Sequence, residues 1–204
     1  MKKIQLVLFT LIITSSVSFA AGLIGFGVQA TGGGISVADP FKDVYSGGFG
    51  GGAHLDINLP VIFSIRVSGD YVSFSPDAEK YKAVLATLNV GSVASGFSVD
   101  GGKINILAFS ANAKLGLPTP ILTPYLTAGV GSASFSGGDV TVKYNGVPLV
   151  STPGVETETV FSTNFGAGVD LSLIITLYLE AKYTIAFTQG NSSSFVLASL
   201  GVTF

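Results

Sequence analysis

Leu200-Gly201-Val202-Thr203-Phe204 closes the chain. Counting back from Phe204, the residues Val202, Leu200, Ala198 and Val196 share one parity, while Thr203, Gly201 and Ser199 share the other. A period of two is the signature of a β-strand, whose successive side chains point to opposite faces. This strand has one apolar face and one small or polar face, and it stops on an aromatic residue. An apolar face must be covered, so the neighbouring sequence has to supply either a core or a greasy surrounding.

The same alternation recurs seven more times toward the amino terminus. Residues 23–30 set Ile24, Phe26, Val28 and Ala30 against Gly25, Gly27 and Gln29. Residues 49–59 set Ala53, Leu55, Ile57 and Leu59 against His54, Asp56 and Asn58. In 62–74, Phe63, Ile65, Val67 and Tyr71 oppose Ser64, Arg66, Ser68 and Asp70. In 103–117, Leu107, Phe109, Ala111, Ala113 and Leu115 oppose Ser110, Asn112 and Lys114, while Ile104 and Ile106 break the pattern. Segments 125–135, 160–171 and 175–188 follow, with Thr127, Gly129, Asn164, Asp170, Tyr178, Glu180 and Lys182 on their polar parities. With the closing strand this predicts an all-β chain of eight antiparallel strands.

The amino terminus is different. Lys2 and Lys3 precede an apolar run from Ile4 to Ile13, and Ser18-Phe19-Ala20 places small residues where a signal peptidase cuts. This predicts a secretory signal peptide over residues 1–20 and a mature domain over 21–204. The run is too short for a spanning helix of about 20 residues. No Cys follows, which argues against a lipid-modified anchor and leaves an exported chain without disulfides. Taking Lys2 and Lys3 from the 10 basic residues leaves 8 against 12 acidic ones, so nucleic acid is not an expected partner.

Composition then narrows the fold. Hydrophobic residues make up 48% and charged residues 11%, with a mean hydropathy of +0.62; soluble domains carry about 25% charge. No stretch after residue 20 can span a bilayer as a helix, since the run from Leu171 to Leu179 is broken by Ser172 and Thr176 and meets Glu180. Lipid tolerates only helices and edge-free sheets, which leaves a closed transmembrane β-barrel. The absence of Trp departs from the usual aromatic girdle of such barrels.

Connection lengths alternate. Long segments are expected at 31–44, 75–102, 136–158 and 189–194, and short turns at 60–61, 116–124 and 172–174. That is the rhythm of an up-and-down barrel with exposed loops on one side of a membrane and tight turns on the other. Ser75-Pro76-Asp77-Ala78-Glu79 predicts a short helix reaching about Leu88, with Ser75 as its cap and Pro76 in first position. Asn145-Gly146, preceded by alternating Val140, Val142 and Tyr144, predicts a type I′ hairpin. The irregular Ile104 and Ile106 suggest a strand end above the membrane or a bulge.

Charges decide which face meets lipid. Asp56, Arg66, Asp70, Lys114, Asp170, Glu180 and Lys182 all fall on the polar parity of their strands. A Lys or Arg on the lipid face near the midplane costs about 2–4 kcal/mol, and several such errors would exceed the stability of about 5–15 kcal/mol of a typical domain. The polar parities must therefore face inward. A tight turn at 60–61 puts Asp56 opposite Arg66, which predicts a buried ion pair. Glu180, Lys182, Asp170 and Lys114 are expected to form a second cluster.

Other chemistry has little support. The same register sets the single histidine, His54, opposite Ser68 with Asp56 close by, formally a Ser-His-Asp set. The three would lie inside the barrel, Arg66 competes for Asp56, and no path for an acyl chain is visible. His54 reads instead as an interior hydrogen-bonding residue, and the chain as a non-enzyme. No metal site is expected from one His, no Cys and scattered acids. Gly47-Gly48-Phe49-Gly50-Gly51-Gly52 lacks the Lys of a phosphate loop, so no cofactor is expected.

With its signal peptide, Pro124-Tyr125 with Gly129 and Gly131, the segment from Asn164 to Asp170 and the closing strand to Phe204, the chain resembles the small bacterial outer-membrane β-barrels of the OmpA/OmpX type. The resemblance implies an outer-membrane location, a lipid-facing exterior and a terminal strand ending in Phe204 that the barrel-assembly machinery reads. Because the chain ends with the barrel, no peptidoglycan-binding domain is expected after it, and a monomer is expected. The fold does not by itself give the function; the expected role is a structural or surface-interaction one through the exposed loops, with an unknown surface ligand, or alternatively a narrow passive channel for small or apolar solutes.

Overall fold

The computed structural model describes residues 23–36, 45–59, 62–77, 79–80, 97–117, 119, 121–154, 156–188 and 191–204. The expected signal peptide lies outside them. Among the described residues there are eleven strands: β1 Ile24–Ser36, β2 Tyr45–Asn58, β3 Phe63–Pro76, β4 Phe97–Gly101, β5 Ile104–Gly116, β6 Leu122–Gly137, β7 Val140–Tyr144, β8 Val147–Thr152, β9 Glu158–Ser172, β10 Thr176–Thr188 and β11 Asn191–Thr203. Eight of them close into an antiparallel barrel in the order β1-β11-β10-β9-β6-β5-β3-β2, and β4, β7 and β8 form a separate three-stranded sheet.

Closure leaves the barrel without an edge. Phe204 and Phe26 exchange backbone hydrogen bonds of 2.8 and 3.3 Å across the β1–β11 seam. Following paired residues once around, from Ile24 through Ile57, Ile65, Ala113, Ala128, Phe165, Tyr183 and Val196, returns to β1 at Gly34, ten residues further along. That stagger over eight strands tilts them by about 40° and leaves an interior that side chains can fill.

The two faces are divided as the charges require. Phe109, Phe165, Leu179 and Leu200 are exposed on the outside, while Arg66, Lys114, Glu180 and Lys182 are buried inside.

Several boundaries differ from expectation. β1 runs on to Ser36 and β2 begins at Tyr45, so 31–36 is strand rather than loop. Asn191 pairs with Thr188 and β11 begins there, so 191–194, expected within a connection, is strand. β6 starts at Leu122, shortening the turn before it. Beyond the apolar band the outward face turns to Gly and Ser, as at Gly32, Gly34, Ser36, Ser132, Ser134 and Ser136, so these segments lack the apolar-out, polar-in alternation of the membrane-spanning part.

The segment after Ser75 also differs. Ser75 and Pro76 remain in β3, and the Asp77 carboxylate accepts from the amides of Glu79 (3.0 Å) and Lys80 (3.3 Å). Asp77, not Ser75, takes the capping position. The rest of the expected helix lies outside the described residues. The Asn145-Gly146 turn joins β7 to β8 with φ of 49° and 80°, the left-handed geometry of a type I′ turn. β4 adds to β7 as a third strand.

No bulge explains Ile104 and Ile106, because the β3–β5 register runs unbroken from Phe63↔Leu115 to Phe74↔Ile104. Ile106 instead joins Val72, Phe74, Ala133, Val160, Ala186, Phe195, Leu197 and Ile35 in a buried apolar cluster at the loop end of the barrel. The interior is thus polar through the middle and turn end, and capped by a greasy plug.

Candidate functional site

Below the plug, three layers of polar side chains cross the lumen. In the central layer, β2 and β3 hold Asp56 directly opposite Arg66. The guanidinium donates through Nε to Oδ1 (2.7 Å) and through Nη2 to Oδ2 (2.8 Å), a bidentate pair. Its Nη1 reaches Glu180 Oε2 at 3.5 Å across the barrel, and Tyr125 donates to the same oxygen at 3.1 Å. The guanidinium also stacks 4.4 Å from the Tyr178 ring centroid.

Toward the turns, Lys114 Nζ donates to Asp170 Oδ2 at 2.6 Å and sits 3.9 Å from the Tyr125 ring centroid. Asp170 Oδ1 makes no hydrogen bond to protein. Asp170, Lys114 and Asp56 border a cavity of about 370 Å³ that opens at the turn end. Toward the loops, Lys182 Nζ donates to Asp70 Oδ2 at 3.2 Å, and Gln29 Nε2 donates to Asp70 Oδ1. Above Asp70, the crevice between Val72, Phe74, Ile106, Phe195 and Leu197 leaves ≈ 0 Å³ for a water-sized sphere.

The expected second cluster is therefore partitioned differently. Lys114 and Asp170 pair, but Glu180 joins Arg66 and Lys182 goes to Asp70. Side chains at matching heights on opposite walls meet, whereas neighbours two apart on one strand, such as Glu180 and Lys182, point to different layers. Gln29, Tyr125, Tyr178 and Thr203 complete the network without being ionic. Their signal in sequence is inward parity alone.

His54 bonds through Nε2 to the Thr203 hydroxyl (2.9 Å) and through Nδ1 to Gln29 Oε1 (3.1 Å), with the Tyr178 ring edge-on at 5.2 Å. Ser68 instead shares a hydrogen bond with Ser110 at 3.0 Å, and Asp56 is engaged by Arg66. His54 lies opposite Ser68 and Asp56 opposite Arg66 across β2 and β3, and each of the three supposed triad members has its hydrogen bonds elsewhere rather than in a Ser-His-Asp chain. Among the described residues, no group of three or more His, Asp or Glu converges as a metal site would require.

At the loop end, β4, β7 and β8 form a sheet of their own, separate from the barrel ladder. Asp100 and Lys143 form an ion pair on this sheet, and Thr141 and Ser151 share a hydrogen bond of 3.2 Å. Val147 and Leu149 are exposed on β8. Asp139 anchors the base of the hairpin by accepting from the Gly154 amide at 2.7 Å.

Comparison with known proteins agrees with this architecture. A major outer membrane protein from Thermus thermophilus superposes with a TM-score of 0.55 at 16% identity, covering 89% of this chain and 98% of that one. Neisserial surface protein A superposes at 0.52 with 15% identity, covering 87% and 95%. Ail, the attachment invasion locus protein of Yersinia pestis, gives 0.49 at 12% identity, covering 89% and 97%. No curated protein matches. The family described as Outer membrane protein beta-barrel domain matches residues 7–204. The chain belongs to that family and is a β-barrel protein of the bacterial outer membrane.

Proposed function

We propose that the chain is a non-enzymatic scaffold that spans the outer membrane and presents its loop-end sheet for surface interactions. The observation that carries this is the filled lumen. Three layers of paired polar side chains and the apolar plug occupy the axis, which favours a sealed barrel over a conducting one. Among the described residues, the sheet of β4, β7 and β8 offers exposed surface at the loop end, with Val147 and Leu149 exposed on β8. The interior cluster of His54, Asp56, Arg66, Asp70, Lys114, Asp170, Glu180 and Lys182 serves to specify and seal the barrel. Residues 1–20 act as a removed export signal, Phe204 as the mark read during assembly, and the mature chain works as a monomer in outer-membrane lipid.

The test uses lipid vesicles carrying the folded chain, applied to surfaces coated with glycans or extracellular-matrix proteins. Adhesion is expected for the intact chain and is lost when residues 139–153 are replaced by a short Gly-Ser link. Adhesion indifferent to that replacement contradicts the reading. Steady single-channel conductance in planar bilayers would restore the passive channel.

A further inference from the structure

The two ends of the barrel differ in a way that the sealed-scaffold reading does not use. Connections at the loop end carry Asp77, Glu79, Lys80, Asp100, Asp139 and Lys143, among others. The three turns at the other end, 59–62, 117–121 and 173–175, contain no charged residue. They are Leu-Pro-Val-Ile, Leu-Pro-Thr-Pro-Ile and Leu-Ile-Ile. Among the described residues of these turns, the apolar side chains are not folded back onto the protein: Ile174 is 95% exposed and Leu117 is 65% exposed. A rim of this kind in water would be an uncovered apolar patch, and such patches mark contact sites.

The lipid-facing parity runs straight into this rim. Leu115 is followed on its face by Leu117, Ile57 by Leu59, and Leu171 by Leu173. On β5 the lipid-facing apolar run from Leu107 to Leu115 is bounded above by Asn105. At a tilt of about 40° those eight steps rise about 20 Å, short of the apolar band of about 25 Å that outer-membrane barrels present. One more pair of residues per strand adds about 5 Å at that tilt, and the pair supplied is the turn. Nor does an interfacial anchor mark a boundary above the turns. There is no Trp, and Tyr125 and Tyr178, the tyrosines of this end, are buried inside.

We propose that the turn end of the barrel is submerged, with Leu59, Leu117, Ile121, Leu173 and Ile174 inserted among the lipids of the turn-side leaflet. The occupant of this apolar surface is phospholipid, continuous with the lipid already covering the wall. The mouth of the cavity beside Lys114 and Asp170 then opens at headgroup level rather than into bulk water.

The chain has no Cys, so single thiols can be placed without background. Nitroxide labels at Ile174→Cys, Leu117→Cys and Ile121→Cys are compared in phospholipid nanodiscs, where both faces are open to solutes. Leu200→Cys serves as the lipid-facing control and Leu149→Cys as the exposed loop-end control. The rim labels are expected to be relaxed by oxygen as at Leu200→Cys and to lose the relaxation by an aqueous nickel chelate seen at Leu149→Cys. Nickel relaxation at all the rim sites equal to that at Leu149→Cys overturns the proposal. Dipolar broadening between rim labels also overturns it, because the surface is then covered by a second copy. Only variants that keep the gel shift of a folded barrel on unboiled samples are scored, and with three rim sites one non-folding variant does not decide the outcome.

Discussion

Replacing Arg66 with Met tests the central layer. Arg66 is buried and holds the Asp56 carboxylate through two bonds of 2.7 and 2.8 Å while touching Glu180 at 3.5 Å. Met approximates the stem of Arg but leaves both carboxylates facing an interior with no cation at that height. Removing one partner of a buried pair costs about 3–5 kcal/mol, because the other charge stays desolvated. Arg66→Met should lower unfolding stability by that amount, and added salt should change the loss little, since buried pairs are poorly screened. The double variant Arg66→Met, Asp56→Asn should recover about 2 kcal/mol, a part of that loss, because the amide at position 56 is cheaper to leave desolvated than the carboxylate. Glu180 would keep its hydrogen bond from Tyr125 in either case. Urea unfolding in phospholipid vesicles, followed by far-ultraviolet circular dichroism because the chain has no Trp, measures both quantities. A loss under about 1 kcal/mol, the range of an exposed pair, or no recovery in the double variant refutes the reasoning.

Three other outcomes follow from the same geometry. Phe195→Ala removes a ring from the plug and should cost about 3–5 kcal/mol in the same unfolding assay, yet leave planar bilayers sealed, because the Arg66 layer still fills the axis; conductance in this variant would make the plug the sole barrier. At Gly131 an added Cβ would lie 2.0 Å from the Phe109 carbonyl oxygen on the neighbouring strand, so Gly131→Val should destabilise by about 1–3 kcal/mol or more and broaden the thermal transition. Phe204 closes the seam through backbone groups, so Phe204→Ala should refold normally from urea while accumulating less in the outer membrane of cells, as read by fractionation and gel shift.

Much of this molecule is written in parity. Asp56 and Arg66 can be paired from sequence because a short turn and continuous alternation leave one register. The Asn145-Gly146 hairpin is legible because left-handed φ values at two successive residues suit few residue pairs. The plug is not legible. Val72, Phe74, Ile106 and Leu197 carry the inward parity, but inward parity reads as polar along the rest of each strand, and nothing local says where the lumen changes character. The addition of β4 to β7 joins residues about forty positions apart, beyond any local pattern. Asn191 to Ser194 reads as a loop because strands above the bilayer have water on one side and need no alternation. Partner choice within the interior, such as Lys182 with Asp70 rather than Asp170, depends on the stagger of the closed barrel. No single hairpin contains that stagger.

The most direct test of the inside-out arrangement is contact between acyl chains and particular methyl groups. Nuclear Overhauser effects would be measured in nanodiscs with protonated lipid and methyl-labelled protein. Methyls of Val67, Leu179 and Leu200 should show cross-peaks to acyl methylenes, and those of Val72, Ile106 and Leu197 should show none. Acyl contacts to the second set and silence from the first would contradict the assignment of faces on which the ion-pair layers, the plug and the submerged rim all rest.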